Sequence, residues 1–173
     1  RHSFPTRRSS DLGSKPFANG WFSEEEGDWY HQKCSSIFNG NIVEIGSYEG
    51  LSLSYIKDTI SENNNKIWSV EAFCNKRLVR NVNDWGVNLI CEPSLVASKA
   101  FPSNFFDFIF IDALHQYKHV KADILNWMPL LKPNGIIAGH DYDDFWPGVK
   151  KAVDEIFPER KVVGRIWYFR RSM

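Results

Sequence analysis

Short apolar runs alternate along the chain with longer stretches in which apolar residues recur every three or four positions, and this alternation predicts the elements. Ile42-Val43-Glu44-Ile45 reads as a buried strand, as do Ile67-Trp68-Ser69-Val70, Asn88 to Cys91, Phe106 to Ile111 and Ile136-Ile137-Ala138. Helical patterns lie between them: one carries Leu51, Leu53, Tyr55, Ile56 and Ile60, and a polar one runs from Arg77 to Trp85. A third sets Val120, Ile124, Trp127, Met128 and Leu131 on one face. Ser23 and Glu26 form a capping box for a first helix that reaches about Ile37 and stops at Asn39-Gly40. Pro93-Ser94 opens a short helix. A last one carries Val149, Val153, Ile156 and Phe157, with Pro147 in its first turn and Asp143 and Asp144 as caps. Lys132-Pro133-Asn134-Gly135 reads as a break, and Val162-Val163 with Ile166 to Phe169 offers one or two closing strands.

Five strands alternating with helices predict an α/β fold: a Rossmann-like, doubly wound, mostly parallel sheet with helices on both faces. A chain of 173 residues, 43% hydrophobic and 15% aromatic, fills one core, so residues 21–171 are expected to form a single domain. Residues 1–12 are basic, serine-rich and aperiodic, without the apolar centre of a signal peptide. They resemble translated adapter or vector sequence and are expected to be a non-native or disordered tail, with the native start absent.

Composition removes several partners. A formal net charge of +0 and a pI near 7.1, with acids and bases interspersed, favour neither nucleic acid nor a membrane surface. No segment approaches the roughly 20 apolar residues of a membrane span. Cys34, Cys74 and Cys91 are odd in number and lack C-x-x-C spacing, which predicts reduced thiols acting as small apolar fillers in a cytoplasmic setting.

In such a sheet, ligands sit outside the carboxyl ends of the strands. Those ends carry Glu44 and Gly46, Glu71, Asp112, and His140 with Asp141. Gly46 reads as the tight turn leaving the first strand and Gly50 as the first close-packed position of the next helix. Ser47 and Tyr48 occupy positions where a pyrophosphate needs bare backbone, so the turn favours a nucleoside without phosphates. Glu71 is the first-choice ligand for the ribose hydroxyls.

Three segments, taken in order, carry a family resemblance: Phe110-Ile111-Asp112-Ala113-Leu114-His115-Gln116-Tyr117, Leu131 to Gly135, and Ala138-Gly139-His140-Asp141-Tyr142. From about Trp21 to Trp167 the chain resembles a class I S-adenosylmethionine-dependent methyltransferase of the bacterial small-molecule type. The resemblance implies S-adenosylmethionine as cofactor, with Glu44, Gly46 and Gly50 around its methionine part, Glu71 at the ribose and the Cys91 to Ser94 loop at the adenine. Ser47 and Asp112 join the cofactor-binding set. The chain departs from the family pattern at Asn134, where the first of two glycines is usual, and at Leu114, where an acid is common.

The implied reaction is direct displacement of a methyl group onto a small-molecule acceptor, with a hydroxyl oxygen as the expected atom. Asp112, His140 and Asp141 are expected metal ligands for magnesium, manganese or another divalent ion; the histidine tilts the set away from magnesium. Without metal, His115 or His140 is the expected catalytic base, with Tyr117 or Tyr142 orienting the acceptor. Trp21 and Phe22 are placed to lid the cofactor. Two alternatives stay open: a nicotinamide-dependent oxidoreductase, disfavoured by the missing middle glycine, and a non-catalytic nucleoside-binding domain. The oligomeric state is open, with a homodimer among the readings.

Overall fold

The computed structural model describes residues 18–172, so the expected tail at residues 1–12 lies outside the described residues. The strands are β1 (Asn41–Ile45), β2 (Lys66–Val70), β3 (Asn88–Ile90), β4 (Phe106–Ile111), β5 (Leu131–Gly139), β6 (Lys161–Val163) and β7 (Ile166–Arg170). They form one sheet in the order β3-β2-β1-β4-β5-β7-β6. The first five run parallel, whereas β7 pairs antiparallel with both β5 and β6. Two short closing strands suffice because the antiparallel hairpin needs no crossover helix. Strand order reverses between β1 and β4, which puts the ligand crevice at their carboxyl ends.

The helices are α1 (Glu24–Cys34), α2 (Leu51–Ile56), α3 (Thr59–Glu62), α4 (Lys76–Trp85), α5 (Ser94–Ala97), α6 (Tyr117–Trp127) and α7 (Pro147–Ile156). Strand alternation sends Val43 and Ile45 into one core with Val120, Ile124, Val149 and Val153 of α6 and α7. Ile42 points to the other core, packed with Trp29, Tyr30, Leu53, Ile56 and Leu78 of α1, α2 and α4. A register irregularity between Phe106 and Phe108 turns Phe106 to the α6 side while Phe108 and Phe110 face α1.

Boundaries depart from the sequence reading for local reasons. The helix expected through Ile60 divides into α2 and α3, and the α6 stripe tightens into a 3-10 turn at Met128–Leu130 around Pro129. The expected break at Lys132 to Gly135 is instead part of β5, whose Asn134 adopts φ +63. Asp143 Oδ1 does accept from the backbone N–H groups of Phe145 and Trp146 ahead of α7, whereas Asp144 pairs with Lys150 at 2.6 Å.

The cysteine expectation is overturned in part. Cys74 and Cys91 form a disulfide between the segment after β2 and the end of β3; Cys34 alone is a free, buried filler. Their Cα atoms are 5.8 Å apart because the parallel pairing of β2 with β3 brings both strand exits together. The bridge removes the reduced-thiol argument for a cytoplasmic setting. No described helix is long and apolar enough to cross a membrane.

Candidate active site

The strand ends open into a cleft of about 870 Å³. Gly46, Ser47, Glu71, Ser94, Asp112, His115, His140 and Asp141 all line it, together with Trp21 and Phe22 from the segment before α1. Gly46 has φ +85, and a Cβ there would lie 2.1 Å from the carbonyl oxygen of Asp112, so only glycine lets the β1 and β4 exits approach. Gly50 is the N-cap of α2 with φ +89 rather than its first helical residue, and it does not line the cleft.

Glu44 is placed elsewhere than expected. It lies fully buried beneath the turn on the α1 side, accepts from Ser52 Oγ at 2.7 Å, and its second oxygen has no hydrogen-bond partner. Burial pushes its carboxyl up to about 8. It therefore sits beneath the turn and is not among the residues that line the cleft.

Glu71 stands at the end of β2 with Oε2 accepting from Tyr48 N and Oε1 from Phe73 N, each at 3.1 Å. Both oxygens retain lone pairs, as a carboxylate that receives two ribose hydroxyls must. Ser94, at the start of α5, donates to Asp123 Oδ1 at 2.5 Å and accepts from Trp127 Nε1 at 2.9 Å. At the cleft mouth Trp21 is 76% exposed and packs 5.8 Å from the Tyr48 ring, while Phe22 packs inward on Phe110 and His140.

Three acids and three bases meet where β4 and β5 end. Asp141, in the left-handed region at φ +58, receives His115 Nε2 at 2.8 Å, His140 Nδ1 at 3.3 Å and Arg165 Nη1 at 3.3 Å. A non-glycine residue held there costs about 1–3 kcal/mol, which these three partners offset. Although burial works against it, His115 and His140 hold its carboxyl well below the ordinary range. Glu26 closes the far side: Oε2 completes the capping box with Ser23 N at 2.8 Å, and Oε1 faces Arg165 N at 2.9 Å and His140 Nε2 at 3.2 Å. Its carboxyl is lowered to about 2 by these donors against the cost of burial.

This packing bears on the role expected of His140. Its side chain is 1% exposed and both ring nitrogens face carboxylates, which raise it to about 9 against the opposing effect of burial. With both nitrogens facing carboxylates and little of its ring open to the cleft, His140 is less available than His115 to take a proton from an acceptor. Of the two histidines in this cluster, His115 is the more accessible: its ring stacks on Trp146 at 3.9 Å, Nε2 faces Asp141, and Nδ1 makes no hydrogen bond among the described residues. Its pKa is raised by the Asp141 hydrogen bond. Asp112 lies 3.7 Å from His140 Nδ1 and is pushed by burial up to about 6. Among the described residues, the group whose ligand atoms converge within 4.8 Å of one another is Asp112, His115 and Asp141, with His115 where the sequence reading had His140. Tyr117 and Tyr142 point away from it, to Glu155 and Asp154.

A family model described as "Methyltransferase domain" matches residues 43–142, from within β1 to just past the Asp141 cluster. The chain belongs to this methyltransferase family. Among solved structures, the methyltransferase is similar to a protein from Corynebacterium glutamicum at 15% identity, covering 89% of this chain and 83% of that one with a TM-score of 0.73. An S-adenosylhomocysteine-bound methyltransferase from Podospora anserina matches at 22% identity, 88% and 80% coverage and a TM-score of 0.66. An S-adenosylmethionine-dependent O-methyltransferase from Thermotoga maritima matches at 14% identity, 90% and 68% coverage and a TM-score of 0.66. No curated protein sequence matches the chain. The enzyme is an S-adenosylmethionine-dependent methyltransferase of the class I fold.

Four residues that sequence reasoning missed shape the methyltransferase site. Glu26 was legible only as a capping-box acid, and Arg165 sits in the closing hairpin, 139 positions from Glu26. Trp146 reads as one aromatic among many, and Asp123 as a polar interruption of the α6 stripe.

Proposed function

We propose that this enzyme transfers the methyl group to a hydroxyl oxygen of a small-molecule acceptor, with His115 as the general base. The cofactor's methionine part then lies over the Gly46-Ser47 turn, its ribose at Glu71 and its adenine at the Ser94 end of the cleft. When bound, S-adenosylmethionine supplies an electrophilic methyl group on a sulfonium, which one direct displacement moves to the acceptor oxygen.

The observation that carries this reading is the His115–Asp141 pair at 2.8 Å. Asp141 fixes the ring through Nε2 and leaves Nδ1 for the acceptor proton, while Trp146 holds the ring plane. Asp141 and Asp112 then balance the imidazolium that forms. Beyond His115 the wall is Leu114, Phe145 and Trp146, an apolar surface suited to excluding water around a small acceptor. The Thermotoga relative is an O-methyltransferase, which supports oxygen as the accepting atom.

A second reading adds a divalent metal held by Asp112, His115 and Asp141, favoured by the convergence of their ligand atoms. A metal there would lower the pKa of the acceptor hydroxyl. Arg165, 3.3 Å from Asp141, already supplies positive charge at that site and weighs against a cation. The test is S-adenosylhomocysteine release with a panel of phenols, alcohols and amines, with and without chelator, for the parent and His115→Gln. Turnover of a hydroxyl acceptor that survives chelation and falls in the variant supports the base reading; abolition by chelator supports the metal, and amine-only turnover overturns the oxygen acceptor.

A further inference from the structure

We propose that Asp123, rather than Ser94, selects the adenine base, by accepting a hydrogen bond from its exocyclic amine. The inference rests on the reading above that the Ser94 end of the cleft takes the base.

Ser94 is largely committed to the protein. Its single hydroxyl proton goes to Asp123 Oδ1 and one lone pair receives the Trp127 indole, so it has no proton for a ring nitrogen and only one neutral lone pair left, a weaker acceptor for an amine than a carboxylate oxygen. Asp123 is not fully committed. The residue is 5% exposed, and what remains open lines the cleft beside His119 and Ala122. Oδ1 is occupied by Ser94, whereas Oδ2 has no hydrogen-bond partner among the described residues and is not among the sealed orphan atoms, so its open side is the cleft. A carboxylate this deeply placed, without a salt bridge and with one oxygen unpaired, is stabilised by a neutral N–H donor arriving with the ligand. An adenine amine is such a donor; the 6-oxo group of hypoxanthine presents an acceptor there and leaves two oxygens opposed.

The geometry extends to the substituted residue. In Asp123→Asn the Ser94 hydroxyl keeps an oxygen acceptor by placing the amide oxygen at Oδ1, and the amide NH₂ then points at the base. That arrangement favours a 6-oxo over a 6-amino purine. A residue that only pinned α5 to α6 through Ser94 and Trp127 would change stability and leave base preference alone.

The experiment is isothermal titration of S-adenosylhomocysteine and S-inosylhomocysteine into the parent, Asp123→Asn and Ser94→Ala, with thermal unfolding as the fold check. The expected result is a preference for the adenine ligand of tenfold or more in the parent, collapsing below threefold or inverting in Asp123→Asn and persisting in Ser94→Ala. The inference is overturned if a folded Asp123→Asn keeps the parental ratio, if the parent binds both ligands equally, or if Ser94→Ala abolishes the preference. Should Asp123→Asn not fold, the parent ratio and Ser94→Ala decide by the same criteria. A parent that binds neither ligand overturns the cofactor assignment of the cleft and this inference with it.

Discussion

His115 Nε2 lies 2.8 Å from Asp141 Oδ2, a pair formed because β4 and β5 are neighbours and their exits share one edge. A base must be neutral to take a proton, and Asp141 raises the pKa of His115 above its ordinary 6.5. Turnover at saturating substrate should therefore rise with pH through a midpoint above 6.5. His115→Gln should lower kcat by about 10²–10⁴-fold, the usual contribution of a positioned base. Asp141→Asn should move the midpoint of the pH–rate curve down, because the hydrogen bond that favours the charged ring is weakened. A profile that is flat from pH 6 to 9 in the parent would remove His115 from the reaction.

Glu71 offers the second prediction. Two ribose hydroxyls on one carboxylate are worth about 1.5–3 kcal/mol for each charge-assisted bond. Glu71→Ala should weaken S-adenosylhomocysteine binding by about a hundredfold or more in titration calorimetry. The Tyr48 and Phe73 backbone donors lose their acceptor in the same variant, so Glu71→Gln is the control. It keeps an acceptor oxygen and should fall between the parent and the alanine variant. Unchanged affinity in both variants would put the ribose elsewhere.

Much of this was readable from the chain. The β4 run is legible because five apolar residues, interrupted only by Asp107, lead directly to Asp112, a stretch too short and too apolar for a surface helix. The strand-end acids were legible because parallel topology collects those ends at one edge. What failed depended on pairs distant in sequence. Nothing in a local window says that Glu26 will meet Arg165 and His140, or that this contact seals His140 and leaves the exposed role to His115. Likewise Glu44 alternates with Val43 and Ile45, and only knowledge of which face opens to ligand reveals that it points away.

That buried Glu44 makes stability pH-dependent. The groups facing it are Tyr30 and Cys34 of α1 and Asp112 at the end of β4, none of them cationic. Its folded pKa is about 8 against 4.5 for the free group, so the folded chain keeps a proton that the unfolded chain has lost. Stability from this group is then fully present below pH 4.5 and declines as pH rises towards 8. His140 acts in the same direction: raised from 6.5 to about 9, it contributes stability that is present below 6.5 and lost as pH rises through 9. The thermal midpoint should fall between pH 6 and 9. Glu44→Gln keeps an acceptor for Ser52 and should flatten the part of that fall lying below pH 8. A parent midpoint that is constant across this range would contradict the burial of a protonated Glu44.

The Cys74–Cys91 bridge closes a loop of sequence separation 17 and ties together the segments that present Glu71 and Ser94. In the chain-entropy account a loop of this size contributes about 3 kcal/mol by restricting the unfolded chain. Cys74→Ser, and separately reduction of the parent with a phosphine, should each lower unfolding free energy by about that amount, and the two effects should not add. Cys91 is exposed and Cys74 partly so, which gives a reductant access to the bridge without global unfolding. Because the bridge joins the exits of β2 and β3, opening it should also weaken S-adenosylhomocysteine binding, through loss of preorganisation between the ribose and adenine ends. Cys34→Ser should leave the reduction effect intact, since that thiol is buried in the α1 core and takes no part. Denaturation curves that coincide for the parent, the reduced parent and Cys74→Ser would show that the two sulfurs are unbridged in solution.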